Sequence, residues 1–243
     1  MRINRVYQNA ELVIESNLEL DKAASLHLAK VLRIKVGTSI ELFNGDGFYY
    51  QAQVSQIERN QVTVNIIEKR QASTESPLNI HLYQGISRGD KMDLTLQKGV
   101  ELGVKSFTPI ITERCGVKLD EKRWQKKHEH WQKVIISACE QSGRNFIPRI
   151  NPVLPWEQAI QNLSKNAYFL DPHSDKAFRD YAKPDLNTEI QLWVGPEGGF
   201  SEHEVIQITK TESYPVFLGP RVLRTETAAL AAVSAINALW GDF

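Results

Sequence analysis

The sequence predicts a two-domain α/β protein: a small β-barrel carrying one helix, then a mostly parallel sheet with helices on both faces. Three observations lead there. The first seventy residues alternate apolar and polar side chains with a period of two. A polar segment ending in proline, QASTESP (71–77), interrupts that rhythm. Beyond it, short apolar runs alternate with amphipathic stretches of helical length. A period of two marks half-buried strands, and strands alternating with helices mark a parallel sheet. The domains are accordingly expected to span residues 1–72 and 73–243.

In the first domain, LDKAASLHLAKVLRI (20–34) reads as a short helix. SIELFNGDGFYYQAQVSQIERNQVTVNIIEK (39–69) holds three strands. Tyr50, Ala52 and Val54 alternate with Gln51, Gln53 and Ser55, and Val62, Val64 and Ile66 alternate with Thr63 and Asn65. Asn44-Gly45-Asp46-Gly47 and Arg59-Asn60 supply the turns. In the second domain LNIHLYQGI (78–86) and SFTPII (106–111) read as strands. GDKMDLTLQKGVELG (89–103) is a helix with Met92, Leu96 and Val100 on one face and Gly103 as its stop. A long helix follows over 121–143, ending at Gly143, and AYFL (167–170), LWV (192–194) and VFL (216–218) are short apolar strands.

Apolar residues make up 42% and charged residues 24% of the chain, ordinary for a soluble globular protein. The N-terminal MRINRVYQNAELVIES has no continuous apolar stretch of the kind a secretory signal carries. AALAAVSAINALW (228–240) is too short and too interrupted to span a bilayer. Cys115 and Cys139 lack a CxxC pattern or metal-ligand spacing, so plain thiols in a reducing cytoplasm and no metal are expected. The formal net charge is zero, yet residues 114–149 hold nine Lys/Arg against four Asp/Glu, whereas 150–217 hold five against ten. Such a basic segment is either a footprint for phosphates or a solvated helix face.

The chemistry is expected where three apolar strands end, at Leu170-Asp171-Pro172, Val194-Gly195-Pro196 and Leu218-Gly219-Pro220. In open parallel sheets ligands bind outside the carboxyl ends of the strands. LWVGPEGGFSEHE (192–204) reads as a strand, a tight glycine turn and a helix opened by a Ser201/Glu204 capping box. Neither a P-loop nor a GxGxxG fingerprint is present. In the second loop, LGPRVLRTETAAL (218–230), Arg221 and Arg224 precede Thr225, the expected N-cap of the last helix. Two arginines at a helix N-terminus oppose the macrodipole, a local conflict that a functional site tolerates. Their alternative fate is an ion pair with Glu197 or Glu226. The last helix is apolar on more than one face, so either its own domain or a second subunit covers it, and a homodimer is expected.

LWVGPEGGFS followed by FLGPRVLRTETAALAA resembles the SPOUT methyltransferases. With MRINRVY, HLAKVLRIKVGTSIELFNGDG, KGVELGVKSFTPIITER and ACEQSGR in order, the whole chain is similar to the small-subunit (16S) ribosomal RNA uracil-N3 methyltransferases. ERCGVKL departs mildly, with Cys115 where the family has a small polar residue. The resemblance implies a PUA-like RNA-binding β-barrel at the N-terminus and a C-terminal trefoil-knotted parallel-sheet domain that binds S-adenosylmethionine beside a dimer interface. It carries cofactor contacts onto Leu170, Gly195, Glu197, Gly198, Gly199, Leu218, Gly219, Val222 and Leu223.

The implied reaction methylates N3 of an unpaired or flipped uridine. Arg224 is the expected stabiliser of the uridinate charge, with Glu197 or Glu226 acting as base or as anchor for that arginine. Arg144 is expected to clamp the base or a phosphate, and Arg5, Arg33, Arg88 and Arg114 are candidates for phosphate contacts or for surface ion pairs. The implied partner is ribosomal RNA or the small ribosomal subunit, with no membrane. Three other readings stay open: a non-catalytic RNA-binding protein, an enzyme using the pocket for another nucleotide, and a SPOUT enzyme with a different RNA target.

Overall fold

In the computed structural model the described residues are 3–71, 74–117 and 120–243. The boundary expected at 72/73 lies outside them. The chain forms two compact units, one of Met1–Glu75 with Cys139–Ile147, the other of Ser76–Ala138 with Pro148–Phe243. The sequence reading had put 139–147 with the second domain. Within the first unit that segment is held by polar ties across long sequence distances. The Tyr7 N–H donates to Glu140 Oε1 at 3.1 Å, and Arg5 Nη2 donates to Asn145 Oδ1 at 2.6 Å.

The first unit holds β1 (Asn4–Tyr7), β2 (Asn17–Glu19), α1 (Lys22–Leu26), β3 (Ser39–Phe43), β4 (Phe48–Glu58) and β5 (Gln61–Gln71). They form a five-stranded sheet in the order β1-β3-β4-β5-β2, parallel only between β1 and β3. The alternation read from sequence is the burial pattern observed: Tyr50, Ala52, Val54, Val62, Val64 and Ile66 join Leu28, Ile40 and Leu42 in one core. The β4–β5 hairpin turns at Arg59 and Asn60 with φ of 47° and 73°, the paired positive values of a tight two-residue turn. The helix expected over 20–34 is shorter. Asp21 Oδ1 caps α1 by accepting from the N–H groups of Ala23 and Ala24. After one wide turn over His27–Val31 the chain breaks at Arg33, whose φ is 50°.

The second unit is built on β6 (Asn79–Gly85), α2 (Lys91–Glu101), β7 (Ser106–Ile111), α3 (Glu121–Ser142) as far as Ala138, β8 (Arg149–Ile150), β9 (Leu154–Pro155), α4 (Trp156–Ala159), β10 (Ala167–Leu170), β11 (Glu189–Val194), α5 (Glu202–Thr209), β12 (Tyr214–Val216) and α6 (Thr225–Trp240). The strand order is β12-β10-β11-β6-β7-β8, with β9 beside β7, and the pairings are parallel. Successive strand residues point to opposite faces. Phe169 and Trp193 pack with Trp156 of α4 and Ile208 of α5. Tyr168 meets Trp240 of α6 on the other side, ring centroids 5.5 Å apart. Helices therefore cover both faces, as the alternation required. The strand expected at 216–218 runs instead from Tyr214 to Val216, in register with Tyr168–Leu170, which releases Phe217 and Leu218 into a loop.

Candidate functional site

β12, β10 and β11 are neighbours, so their C-terminal ends lie side by side. The loops that leave them wall a cavity of about 920 Å³. Leu170, Gly195, Glu197, Gly198, Gly199, Leu218, Gly219, Val222 and Leu223 all line it, together with Arg114, Arg221 and Arg224. Nine residues drawn from three separate sequence segments thus surround one space. The volume lies in the range that encloses a drug-sized ligand.

The glycine loop between β11 and α5 is held from several sides. Ser201 and Glu204 form the expected capping box: Glu204 N–H donates to Ser201 Oγ at 3.2 Å and Ser201 N–H donates to Glu204 Oε2 at 2.8 Å. Glu204 also does something the sequence did not announce. Its Oε1 accepts the Glu113 N–H at 2.8 Å, tying the loop after β7 to this one. Arg114 Nη1 donates to the carbonyls of Gly198 and Phe200 at 3.0 and 3.2 Å. Gly199 has φ +67°, in the left-handed region, with nothing within 4 Å of where a Cβ would stand. Beneath the loop, Gly85 ends β6 with no side chain. A methyl there would stand 2.6 Å from Pro196 Cδ and 2.7 Å from the Gly195 carbonyl carbon.

Glu197 faces Lys91 and the backbone of the β6–α2 loop, not the arginines. Its Oε1 accepts the Arg88 N–H and lies 3.0 Å from Lys91 Nζ. Burial alone would raise this carboxyl's pKa. The bonds from the Arg88 N–H, from its own N–H and from Lys91 outweigh burial and hold it below the ordinary carboxylate value. Among the described residues neither Arg221 nor Arg224 makes an ion pair, so the structural fate weighed for them is not the one adopted. Thr225 is not the N-cap. It is the first residue of α6, Arg224 precedes it with no side-chain capping bond, and the Thr225 hydroxyl donates to Gly195 O at 2.6 Å while accepting from Gln84 Nε2 at 2.9 Å. The capping role was inferred from spacing; the tertiary partner takes the hydroxyl instead. Glu226 is buried in the first turn of α6.

The family described as RNA methyltransferase domain matches residues 74–237, more than half of the chain. The chain belongs to the RNA methyltransferase family. The description RNA methyltransferase PUA domain matches residues 20–67. A ribosomal RNA small subunit methyltransferase E from Buchnera aphidicola subsp. Schizaphis graminum is 37% identical, the alignment covering 99% of this chain and 98% of that protein. Its counterpart from Bacillus subtilis is 34% identical over 87% of this chain and 86% of its own length. Among solved structures, a methyltransferase from Legionella pneumophila in complex with the bound cofactor SAM is 41% identical, with a TM-score of 0.96 and full coverage of both chains. A ribosomal RNA small subunit methyltransferase E from Neisseria gonorrhoeae bound to S-adenosyl methionine is 38% identical, with a TM-score of 0.92 and the same coverage.

In this RNA methyltransferase the remaining candidate arginines do not line the cavity. Arg144, expected to clamp a base or phosphate, is 3% exposed and its guanidinium is committed to Glu75, Nη2 to Oε2 at 2.6 Å. Arg5 is similarly engaged, with Glu41 at 2.7 Å. Arg33 and Arg88 are exposed. No group of three or more His, Cys, Asp or Glu among the described residues is placed to hold a metal, and no helix among them is long and apolar enough to cross a membrane. Sequence reasoning missed Lys91, a plain helix-start lysine, and Gly85. A glycine within a strand is a signal for close backbone approach, and that signal was available for Gly85 at the end of NIHLYQG.

Proposed function

We propose that this chain is an S-adenosylmethionine-dependent methyltransferase that methylates N3 of a uridine in small-subunit (16S) ribosomal RNA. The observation that carries the reading is the single cavity at the ends of β10, β11 and β12, whose lining gathers the nine residues matched to the SPOUT cofactor motif. Relatives named ribosomal RNA small subunit methyltransferase E, and structures of full-length neighbours holding S-adenosyl methionine, support the cofactor and the RNA class.

The cavity suits the cofactor chemically. Gly195, Gly198, Gly199 and Gly219 carry no side chain, so a ligand can approach their main chain closely, and Leu170, Leu218 and Leu223 offer apolar walls for a purine. When bound, S-adenosylmethionine supplies a methyl group made electrophilic by its sulfonium. The chain must then position N3 and stabilise the charge left when N3 loses its proton. Arg224 stands in extended backbone at the start of α6 and lines the cavity, which supports a role in holding the uridinate charge. Glu197, already ionised and bonded to Lys91 and the Arg88 N–H, is a weak proton acceptor. Its geometry supports anchoring the glycine loop over serving as base. Arg144 and Arg5 brace the first unit around Glu75 and Glu41.

The same reading makes the first unit a PUA-like barrel that binds RNA, and it has the final segments of the second unit thread a trefoil knot. Exposed Arg33, flanked by Lys30, Lys35 and the exposed Val31, Leu32 and Val36, supports an RNA-facing surface there, and exposed Arg88 is a further phosphate contact. It also makes the protein a homodimer. Thr225, Ala229, Val233 and Ile236 are buried, whereas Ala228, Ala231, Ala235 and Leu239 keep exposure along another stripe of α6. A second copy of that stripe fits this face.

Methyl transfer from labelled S-adenosylmethionine to small-subunit particles lacking the modification, read as nucleosides by mass spectrometry, tests the proposal. N3-methyluridine is the expected product. Another methylated nucleoside would keep the cofactor and discard the base, and absence of both transfer and cofactor binding would leave a non-catalytic RNA-binding protein.

A further inference from the structure

We propose that Arg114 is a positioning residue for the cofactor: it locks the main chain of residues 198–201 in the shape that receives S-adenosylmethionine. This inference rests on the cofactor assignment above. A peptide unit is planar, so one bonded at both its carbonyl and its N–H has no freedom to swing. Two consecutive-but-one units of the glycine loop are in that condition. In the unit joining Gly198 to Gly199, the carbonyl accepts from Arg114 Nη1 at 3.0 Å and the N–H donates to Pro196 O at 2.9 Å. In the unit joining Phe200 to Ser201, the carbonyl accepts from the same nitrogen at 3.2 Å and the N–H donates to Glu204 Oε2 at 2.8 Å. Arg114 supplies the carbonyl side of both.

The arginine is itself placed. Glu204, 2% exposed, takes the Glu113 N–H with its other oxygen, and the Cys115 N–H closes a turn on Thr112 O at 3.0 Å. The stem of Arg114 also packs under the loop, its Cβ standing 3.0 Å from where a Gly198 methyl would be. The sequence had offered Arg114 for RNA phosphate. Its guanidinium instead faces two main-chain carbonyls of the loop that walls the cavity. Without it, Gly198 and Gly199 would regain the wide conformational freedom of glycine, and ligand binding would have to bear the cost of ordering them.

The test uses the full chain with Arg114→Ala and Arg114→Lys. Calorimetric titration with S-adenosylmethionine is paired with hydrogen exchange of the loop amides in cofactor-free protein. Arg114→Ala removes both charge-assisted bonds to the loop carbonyls, so it should weaken cofactor affinity about tenfold. Exchange at the Gly199 and Ser201 amides should accelerate by a similar factor. The KM for cofactor should rise while kcat at saturation stays within about twofold. Arg114→Lys should fall between, because an ammonium lacks the planar fork; it decides the matter alone if the alanine variant loses its cooperative melt. Unchanged affinity and exchange, with a raised KM for RNA and a shallower salt dependence, would overturn the inference and return Arg114 to the phosphates. Wild-type protein that binds no S-adenosylmethionine would remove the cofactor assignment and this inference with it.

Discussion

Replacing Gly85 with alanine adds one methyl group at the end of β6, on a residue that does not line the cavity, and should nonetheless disable it. The new carbon would stand 2.6 Å from Pro196 Cδ and 2.7 Å from the Gly195 carbonyl carbon, and would press on Pro196 N as well. That falls short of an ordinary 3.4 Å contact by about 0.7 to 0.8 Å. The strand cannot yield, because β6 is paired with β11 through Tyr83–Trp193 and Gln84–Val194 immediately before the contact. Pro196 has a fixed φ, and Gly195 O is held by the Thr225 hydroxyl. The displacement must therefore pass into the glycine loop. Overpacking of this kind costs roughly 1–3 kcal/mol. In a chain of this size each kcal/mol lowers Tm by about 2–4 °C. If the cofactor-binding shape of the loop carries the strain, affinity for S-adenosylmethionine falls by about tenfold or more. Calorimetric titration and thermal denaturation of the variant measure both quantities. Affinity within about twofold of wild type with an unchanged Tm would refute the claim that the loop depends on close approach to Gly85.

Four further outcomes are expected. Arg224→Ala should lower kcat by about 100-fold or more, as loss of a donor to developing charge does, with cofactor affinity nearly unchanged; weakened cofactor binding alone would remove it from the reaction. Glu197→Gln should lower Tm at neutral pH, and the difference from wild type should vanish in acid. A carboxyl held below its ordinary value of 4.5 stabilises the fold above that pH and ceases to do so as pH falls through its folded pKa. A difference that grew toward acid would contradict this. Burial pushes the Cys139 thiol up to about 12, so Cys139 should resist thiol reagents at about pH 8 until the protein is unfolded, as mass-spectrometric mapping of the labelled cysteine would reveal. If the protein is the proposed homodimer, Ala235→Arg, on the half-exposed stripe of α6, should yield monomer in light scattering with unchanged helix content; a wild-type monomer would refute the dimer, and a variant that stays dimeric would refute this stripe as its interface.

Much of this was legible in the order of residues because its causes are local. Alternation at 50–54 and 62–66 needs only neighbouring side chains to sort between core and water. The Ser201/Glu204 box closes within one helical turn. The three loops that meet at the cavity were legible because parallel strands place their carboxyl ends together. Partner choice was not. Glu197 finds Lys91 across 106 positions, Arg114 finds Gly198 across 84, and Arg144 finds Glu75 across 69. The Thr225 hydroxyl, suited by spacing to cap its own helix, goes to Gly195 instead. A long charged side chain or a hydroxyl bonds whatever the topology sets beside it, and no period or spacing records that neighbour. The long strands, the helix stops at Gly103 and Gly143 and the place where the three loops gather were determined by sequence alone; which arginine holds main chain, which braces the first unit and which is left facing the cavity was decided only when the sheet brought distant segments together.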